Sequence, residues 1–157
     1  MNELGDLYQE MILDHNRKPR NFKKMEDANA YAHGINPLCG DDYHLYLKKD
    51  QSGIIKEAAF EGHGCAISKS SASMMMAAVE NKSAKEVESL KDSFIALLTA
   101  DPVAPVDRER VGKLKIFEGV KNYPIRVKCA TLIWRALEAA LKEDPEKKEV
   151  STEREGS

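Results

Sequence analysis

The chain has 157 residues, 42% hydrophobic and 32% charged, which is enough for one domain with a substantial core. Its 24 Lys and Arg residues nearly balance its 26 Asp and Glu residues, and the net charge of −2 gives no basic excess for nucleic acid or an anionic membrane. No apolar run approaches the roughly 20 residues that cross a bilayer. The first residues also lack the regions of a secretory signal, so we expect a cytoplasmic protein with no nucleic-acid or membrane partner.

The N-terminal half predicts one helix followed by antiparallel strands. Apolar residues recur at helical spacing over residues 4–15. Residues 43–49 alternate between apolar and polar, and residues 54–61 do so more loosely after the turn signal DQSG at 50–53. A further strand is expected near residues 31–35.

The C-terminal half is predominantly helical in pattern. Residues 66–79 contain good helix formers and no Gly or Pro, which predicts a helix. Ser83 and Glu86 have the spacing of a capping box, and an amphipathic stripe follows over residues 87–98. A short helix is expected near residues 107–112.

The last helix is predicted to begin near Arg126, after which the chain becomes strongly charged. We therefore expect a single compact α+β domain over residues 1–143, with a small antiparallel sheet and helices packed on one face. Residues 144–157 are predicted to be a disordered charged tail.

Three cysteines, with no CxxC pair, are the feature that needs explanation. In a reducing compartment such thiols are structural, catalytic or metal-binding. Cys39 lies in the loop sequence NPLCGD, two residues before Asp41. A carboxylate raises the pKa of a neighbouring thiol, and a shared cation would resolve that conflict. The alternative is a simple turn in which Asp41 caps backbone N–H groups.

Cys65 and Cys129 both lie near predicted helix starts. Cys65 follows the sequence GHG, and the helix N-terminus there favours a thiolate, as a nucleophile or a metal ligand needs. Arg126, Lys128 and the helix start would also lower the pKa of Cys129. However, Cys129 lies on the apolar stripe of its helix, and by itself it is more simply interpreted as a core residue.

Together these residues form a possible set of four metal ligands: Cys39, Asp41, Cys65 and Cys129. Tetrahedral zinc accepts such ligands, and iron with sulfide also accepts thiolates. The aspartate is a harder and more exchangeable ligand than a fourth thiolate. This favours a centre in which another group can replace one of the ligands. His63 and His44 could reach a nearby site, although His44 is more simply a solvated strand residue.

The motifs resemble those of the U-type iron–sulfur cluster assembly proteins. The matching segments are NPLCGD at 36–41, GHGCAIS at 62–68, KCATL at 128–132, LYQEMILDH at 7–15 and PRN at 19–21. The resemblance extends from about residue 4 to residue 142. It implies a compact α+β domain with an antiparallel sheet and several helices.

Within this family the sequence is more similar to the SufU-like branch than to the IscU-like scaffold branch. Residues 101–119 correspond to an insertion that the scaffold branch lacks. The scaffold branch also carries Leu-Pro-Pro-Val-Lys followed by His before its last cysteine. This chain has YPIRV at 123–127 and Lys128 instead.

The resemblance implies that Cys39, Asp41, Cys65 and Cys129 bind zinc. It also implies that a SufS-like, PLP-dependent cysteine desulfurase delivers persulfide sulfur to Cys39, after displacing it from zinc as a thiolate. Downstream iron–sulfur assembly proteins would then receive the sulfur. The chain would activate the desulfurase and have no stand-alone activity.

Two alternatives remain open from the sequence. In the first, the protein is a scaffold on which Cys39, Cys65 and Cys129 assemble a [2Fe–2S] cluster for transfer to apo-proteins, with Cys129 as the sulfur acceptor. In the second, which is less favoured, it is an interaction domain with a purely structural zinc.

Overall fold

The computed structural model describes residues 3–99, 107–142 and 149–153. Within these ranges the strands are β1 (Ala30–Asn36), β2 (Asp41–Lys49), β3 (Ile55–His63) and β4 (Glu149–Ser151). The α-helices are α1 (Glu3–Arg17), α2 (Ala66–Val79), α3 (Ala84–Leu98), α4 (Arg108–Val111) and α5 (Pro124–Leu141), with a 3-10 helix at Gly112–Val120. The predicted α+β fold is confirmed. None of the helices described is long and apolar enough to cross a membrane.

The sheet has the order β3-β2-β1-β4. Strands β1, β2 and β3 form an antiparallel meander in which Leu45 lies between Ala32 and Phe60. The turn between β2 and β3 is closed by Asp50, whose carboxylate accepts hydrogen bonds from the backbone amides of Ser52 and Ile54. This is the turn that the sequence DQSG predicts.

Strand β4 was not expected, because it lies in the predicted disordered tail. Its residues pair in parallel with β1, and Val150 packs against the core. Beyond the strand, the Thr152 backbone amide donates to the Ile35 carbonyl at 3.1 Å. Residues 149–153 are therefore ordered on the sheet edge, whereas the rest of the predicted tail lies outside the described residues.

The core lies between the sheet and the helices on one of its faces. Tyr43, Leu45 and Leu47 are fully buried on this face, as the alternation along β2 predicts. Helix α5 packs against β1 and α2, and its Trp134 stacks on Phe94 of α3 with ring centroids 4.8 Å apart. Burial of each such large side chain stabilises the fold by about 1.5–3 kcal/mol.

Local signals in the helical half are also confirmed. Ser83 and Glu86 form the predicted capping box, with each side chain accepting from the other residue's backbone amide. The short helix near residues 107–112 is α4, and it continues into the 3-10 helix. There Phe117 reaches the core and meets Phe94 edge to face. The first part of the predicted insertion, residues 101–106, lies outside the described residues.

Candidate metal centre

The loop between β1 and β2 brings Cys39 and Asp41 to the helix side of the sheet. Gly40 allows the tight path between them, since its φ of +71° lies in the left-handed region. Asp41 opens β2 and is buried beside the core, while Cys39 is half-buried in a loop whose neighbours are exposed. The loop thus places a reachable thiol next to a buried carboxylate.

Three donors hold the Asp41 carboxylate. Its Oδ1 accepts from the Cys65 backbone amide at 2.9 Å and from Ser68 Oγ at 3.0 Å. Its Oδ2 accepts from Asn36 Nδ2 at 3.1 Å. These bonds replace the hydrogen bonds to water that the carboxylate loses on burial. They also fix its position between β1 and α2.

Cys65 is the N-cap of α2, as its place after the GHG sequence predicts. Its sulfur accepts a hydrogen bond from the Ser68 backbone amide at 3.4 Å. The segment that leads to Cys65 requires glycine at two positions. Gly62 has a φ of +134°, and a Cβ on Gly64 would lie 2.5 Å from both Asp41 Oδ1 and Tyr43 Oη. Because these distances are too short for any side chain, the bend before Cys65 is specific to glycine.

The position of Cys129 corrects one expectation. Helix α5 begins at Pro124, so Cys129 lies in the second turn and away from the free N–H groups of the helix start. Its side chain is only 2% exposed, in agreement with its place on the apolar stripe. Burial raises the pKa of the Cys129 thiol, and the hydrogen bond with Cys39 and the nearby acidic groups add to this.

The two expected cations do not contact Cys129. Lys128 Nζ lies 2.5 Å from Glu153 Oε1, and the Arg126 guanidinium lies 5.1 Å above the Tyr123 ring. The prediction that these cations and a helix N-terminus lower the pKa of Cys129 is therefore wrong.

Three of the four predicted ligand residues nevertheless converge. The sulfur atoms of Cys39 and Cys129 are 3.2 Å apart, and one ligand atom from each of Cys39, Asp41 and Cys129 lies within 4.8 Å of the others. Cys65 is outside that set. Its backbone amide nevertheless donates to Asp41, and its thiol contributes to the raised pKa of Cys129. All three cysteines are free thiols. Thiol and carboxylate donors gathered in this way suit zinc or an iron–sulfur species.

Comparison with known proteins places this chain in a family. The family model described as NifU-like N terminal domain matches residues 7–131. The chain belongs to this family. The match contains all three cysteines, and the resemblance inferred from their motifs is confirmed.

Two relatives are equally similar to this NifU-like domain. The iron–sulfur cluster assembly scaffold protein IscU of Thermotoga maritima is 38% identical over 139 residues, covering 87% of this chain and 93% of the relative. The zinc-dependent sulfurtransferase SufU of Bacillus subtilis is 38% identical over 135 residues, covering 86% and 89%. The domain is thus a member of an iron–sulfur cluster assembly family, and these identities do not separate the two activities.

A solved structure confirms the fold. A crystal structure from Fervidobacterium islandicum AW-1, of a protein assigned as an iron–sulfur cluster assembly scaffold for the SUF system, superposes with a TM-score of 0.79. It is 35% identical and covers 85% of this chain and 95% of its own.

Several residues of the site were missed by sequence reasoning. Asn36 is fully buried, and its Nδ2 faces both Asp41 and, at 3.5 Å, Cys129 Sγ. Thr152, beyond β4, donates to Asn36 Oδ1 at 2.8 Å. Ser68 Oγ, which donates to Asp41, also accepts a hydrogen bond from the Tyr43 hydroxyl at 2.9 Å. Asn36 and Ser68 stand inside the recognised motifs, which was the available signal, whereas nothing in the sequence pointed to Thr152.

The histidines do not enter this centre. His63 is exposed at the end of β3 and lies outside the ligand set of the described residues. His44 is on the opposite face of the sheet, where it is half-buried and hydrogen bonded to Tyr31. The expectation that His44 is merely solvated is therefore too simple.

Proposed function

We propose that this domain is a zinc-dependent acceptor of persulfide sulfur, supplied by a PLP-dependent cysteine desulfurase for iron–sulfur cluster biogenesis. The observation that carries the proposal is the pairing of a reachable thiol, Cys39, with the buried donors Asp41 and Cys129. Membership of the iron–sulfur cluster assembly family and the likeness to a zinc-dependent sulfurtransferase support it.

The proposed zinc ligands are Cys39, Asp41, Cys65 and Cys129. Without a cation, a cluster of thiolates and a carboxylate would be disfavoured by mutual repulsion and by burial. Bound zinc keeps thiols deprotonated near neutral pH and is itself redox-inert. Asp41 is fixed by its three hydrogen bonds, so Cys39 on its exposed loop is the ligand best placed to move.

In the proposed transfer, the Cys39 thiolate attacks the outer sulfur of the desulfurase persulfide. A new S–S bond forms on Cys39, the S–S bond of the desulfurase breaks, and its cysteine leaves as a thiolate. The two thiol groups exchange one sulfane sulfur, so no external oxidant or reductant is needed. Pro37, Leu38 and Gly40 are exposed around the acceptor, which leaves it open to a partner protein.

Persulfide mapping by mass spectrometry tests the proposal. After incubation with a desulfurase and cysteine, we expect the persulfide on Cys39, about one zinc per chain and increased desulfurase turnover. Cys39→Ala should remove both the persulfide and the increase. Normal sulfur acceptance by Cys39→Ala would overturn the mechanism. Loss of folding on chelation, with no sulfur on any cysteine, would favour a purely structural zinc.

A scaffold role is the second candidate, because the IscU relative is as similar as the SufU relative. Cys39, Cys65 and Cys129 would then hold a [2Fe–2S] cluster as cargo, and Cys129 would accept the sulfur. Anaerobic reconstitution with iron, cysteine and desulfurase should give a chromophore that moves to an apo-protein. Persulfide on Cys129 and cluster trapping by Asp41→Ala would favour this role.

A further inference from the structure

A second group of possible metal ligands lies on the face of the sheet opposite the helices. His33 of β1 and His44 of β2 are direct cross-strand neighbours, and Asp42 precedes His44 by two residues on the same face. The two imidazole rings stack with centroids 4.3 Å apart and planes 6° from parallel. One ligand atom from each of the three residues lies within 4.8 Å of the others.

The ring nitrogens of both histidines converge on one carboxylate oxygen. His33 Nε2 lies 2.7 Å from Asp42 Oδ1, and His44 Nε2 lies 3.9 Å from the same atom. All three side chains are partly open to solvent, at 23%, 35% and 41% exposure for His33, His44 and Asp42. An ion could therefore enter and leave without a change in the fold.

The remaining ring nitrogens are already engaged. His33 Nδ1 lies 3.2 Å from Glu149 Oε2, and His44 Nδ1 lies 2.5 Å from Tyr31 Oη. A histidine that binds a metal through one nitrogen usually donates its other N–H to such a carboxylate or oxygen, which fixes the tautomer. With Nδ1 protonated on both rings, the lone pairs of both Nε2 atoms face Asp42, and a metal ion can take the place of the proton that would otherwise join His33 Nε2 to Asp42 Oδ1.

We propose that His33, Asp42 and His44 bind a divalent first-row transition ion, with Glu149 and Tyr31 orienting the two imidazoles. Two imidazoles and one carboxylate favour ions such as Zn²⁺, Fe²⁺ and Co²⁺ over Mg²⁺ and Ca²⁺, which prefer oxygen ligands alone. Three protein ligands leave positions for water, so the ion is exchangeable. The site uses none of the cysteine centre's ligands and stands independently of the sulfur-transfer proposal.

Strand β4 contacts this site through Glu149. Glu149 reaches His33 because β4 pairs in parallel with β1, opposite His33 in register. An ion on His33 would strengthen the hydrogen bond from its Nδ1–H to Glu149. We therefore expect ion binding to protect the backbone amides of residues 149–153 from hydrogen exchange.

The test is a Co²⁺ titration of the full chain without a histidine tag, after addition of one equivalent of Zn²⁺. We expect one further Co²⁺ per chain, with the weak visible absorption typical of nitrogen and oxygen ligands. His33→Gln and His44→Gln should each weaken this binding by about tenfold or more. His15→Gln is the matched control, because His15 lies on α1, where it contacts Ser73, and is outside the group.

Three results would overturn the site. The first is the absence of saturable Co²⁺ binding. In that case a His33 imidazolium would bridge Asp42 and Glu149, with a proton in place of the metal. The second is Co²⁺ absorption that carries only intense thiolate charge-transfer bands. The third is equal weakening by His15→Gln and His33→Gln. Far-UV circular dichroism checks that each variant is folded. If His33→Gln does not fold, His44→Gln is compared with the control in its place.

Discussion

The Asp41 carboxylate accepts a hydrogen bond from the Cys65 backbone amide at 2.9 Å. This contact joins the loop that carries Cys39 to the first turn of α2. Because Asn36 and Ser68 bind the same carboxylate, one buried group sets the relative positions of β1, β2 and α2. The candidate metal centre is thus organised by its carboxylate as much as by its thiols.

Asp41→Ala should destabilise the metal-free protein. The substitution removes the acceptor of the Cys65 amide and leaves Asn36 Nδ2 only the weaker contact with Cys129 Sγ, and an unsatisfied buried donor costs about 1–3 kcal/mol. Urea unfolding with a chelator present measures the effect without a metal contribution. Asp42→Ala is the matched control on the opposite face, where losing a 41% exposed carboxylate should cost less than about 1 kcal/mol. Equal losses in the two variants would show that the Asp41 contacts contribute little.

Gly64→Ala should disrupt the centre although it alters no ligand. The new Cβ would lie 2.5 Å from Asp41 Oδ1 and 2.6 Å from Ser68 Oγ, so the carboxylate must shift. We expect zinc affinity to fall by about tenfold or more in a competition assay with a chromogenic chelator. In Gly119→Ala the new Cβ meets nothing within 4 Å, and affinity should not change. Unchanged affinity in Gly64→Ala would contradict the described position of Asp41.

Local patterns predicted much of this fold. Helix α2 and the capping box of α3 depend on neighbouring residues, and both are found where the sequence indicates. The sequence also indicates the start of α5, since proline is favoured in the first helical turn and Pro124 occupies it. Giving that proline more weight would have placed Cys129 in the second turn.

Contacts between distant segments could not be predicted in the same way. Strand β4 has only three residues and pairs with β1 across more than 100 residues of chain, so no periodicity marks it. The group of His33, Asp42 and His44 depends on the register of β1 against β2, which a single sequence does not fix. The grouping of Cys39 and Cys129 with Asp41 was predicted from residue chemistry and from the family motifs, and the fold shows the distances between them.

Leu38→Asp should separate partner binding from metal binding. Leu38 precedes the proposed acceptor Cys39 and is 60% exposed, so a desulfurase that reaches Cys39 would bury it. An aspartate there should reduce desulfurase activation by at least about fivefold, equivalent to roughly 1 kcal/mol, with the zinc content unchanged. Leu13→Asp is the matched control, since Leu13 on α1 is 47% exposed. Equal loss from both substitutions would argue against a local contact at Leu38.

His15 should make stability depend on pH. Its Nδ1 lies 2.7 Å from Ser73 Oγ and so connects α1 to α2. Burial lowers the pKa of His15 in the folded state, and the nearby Arg20 cation lowers it further. As the pH falls below the ordinary histidine pKa of about 6.5, the unfolded chain takes up this proton first. Stability contributed by neutral His15 is complete above that value and is lost as the pH falls through the folded pKa.

Urea unfolding of the wild type and His15→Gln, at about pH 7.5 and about pH 5.5, isolates this effect from other titrating groups. The wild type should lose more stability between the two conditions than the variant, whose side chain does not titrate. The difference between the two losses belongs to His15, because the remaining histidines and carboxyl groups are common to both proteins. Identical losses would mean that His15 titrates alike in the folded and unfolded chains, and that its contact with Ser73 does not favour the neutral ring.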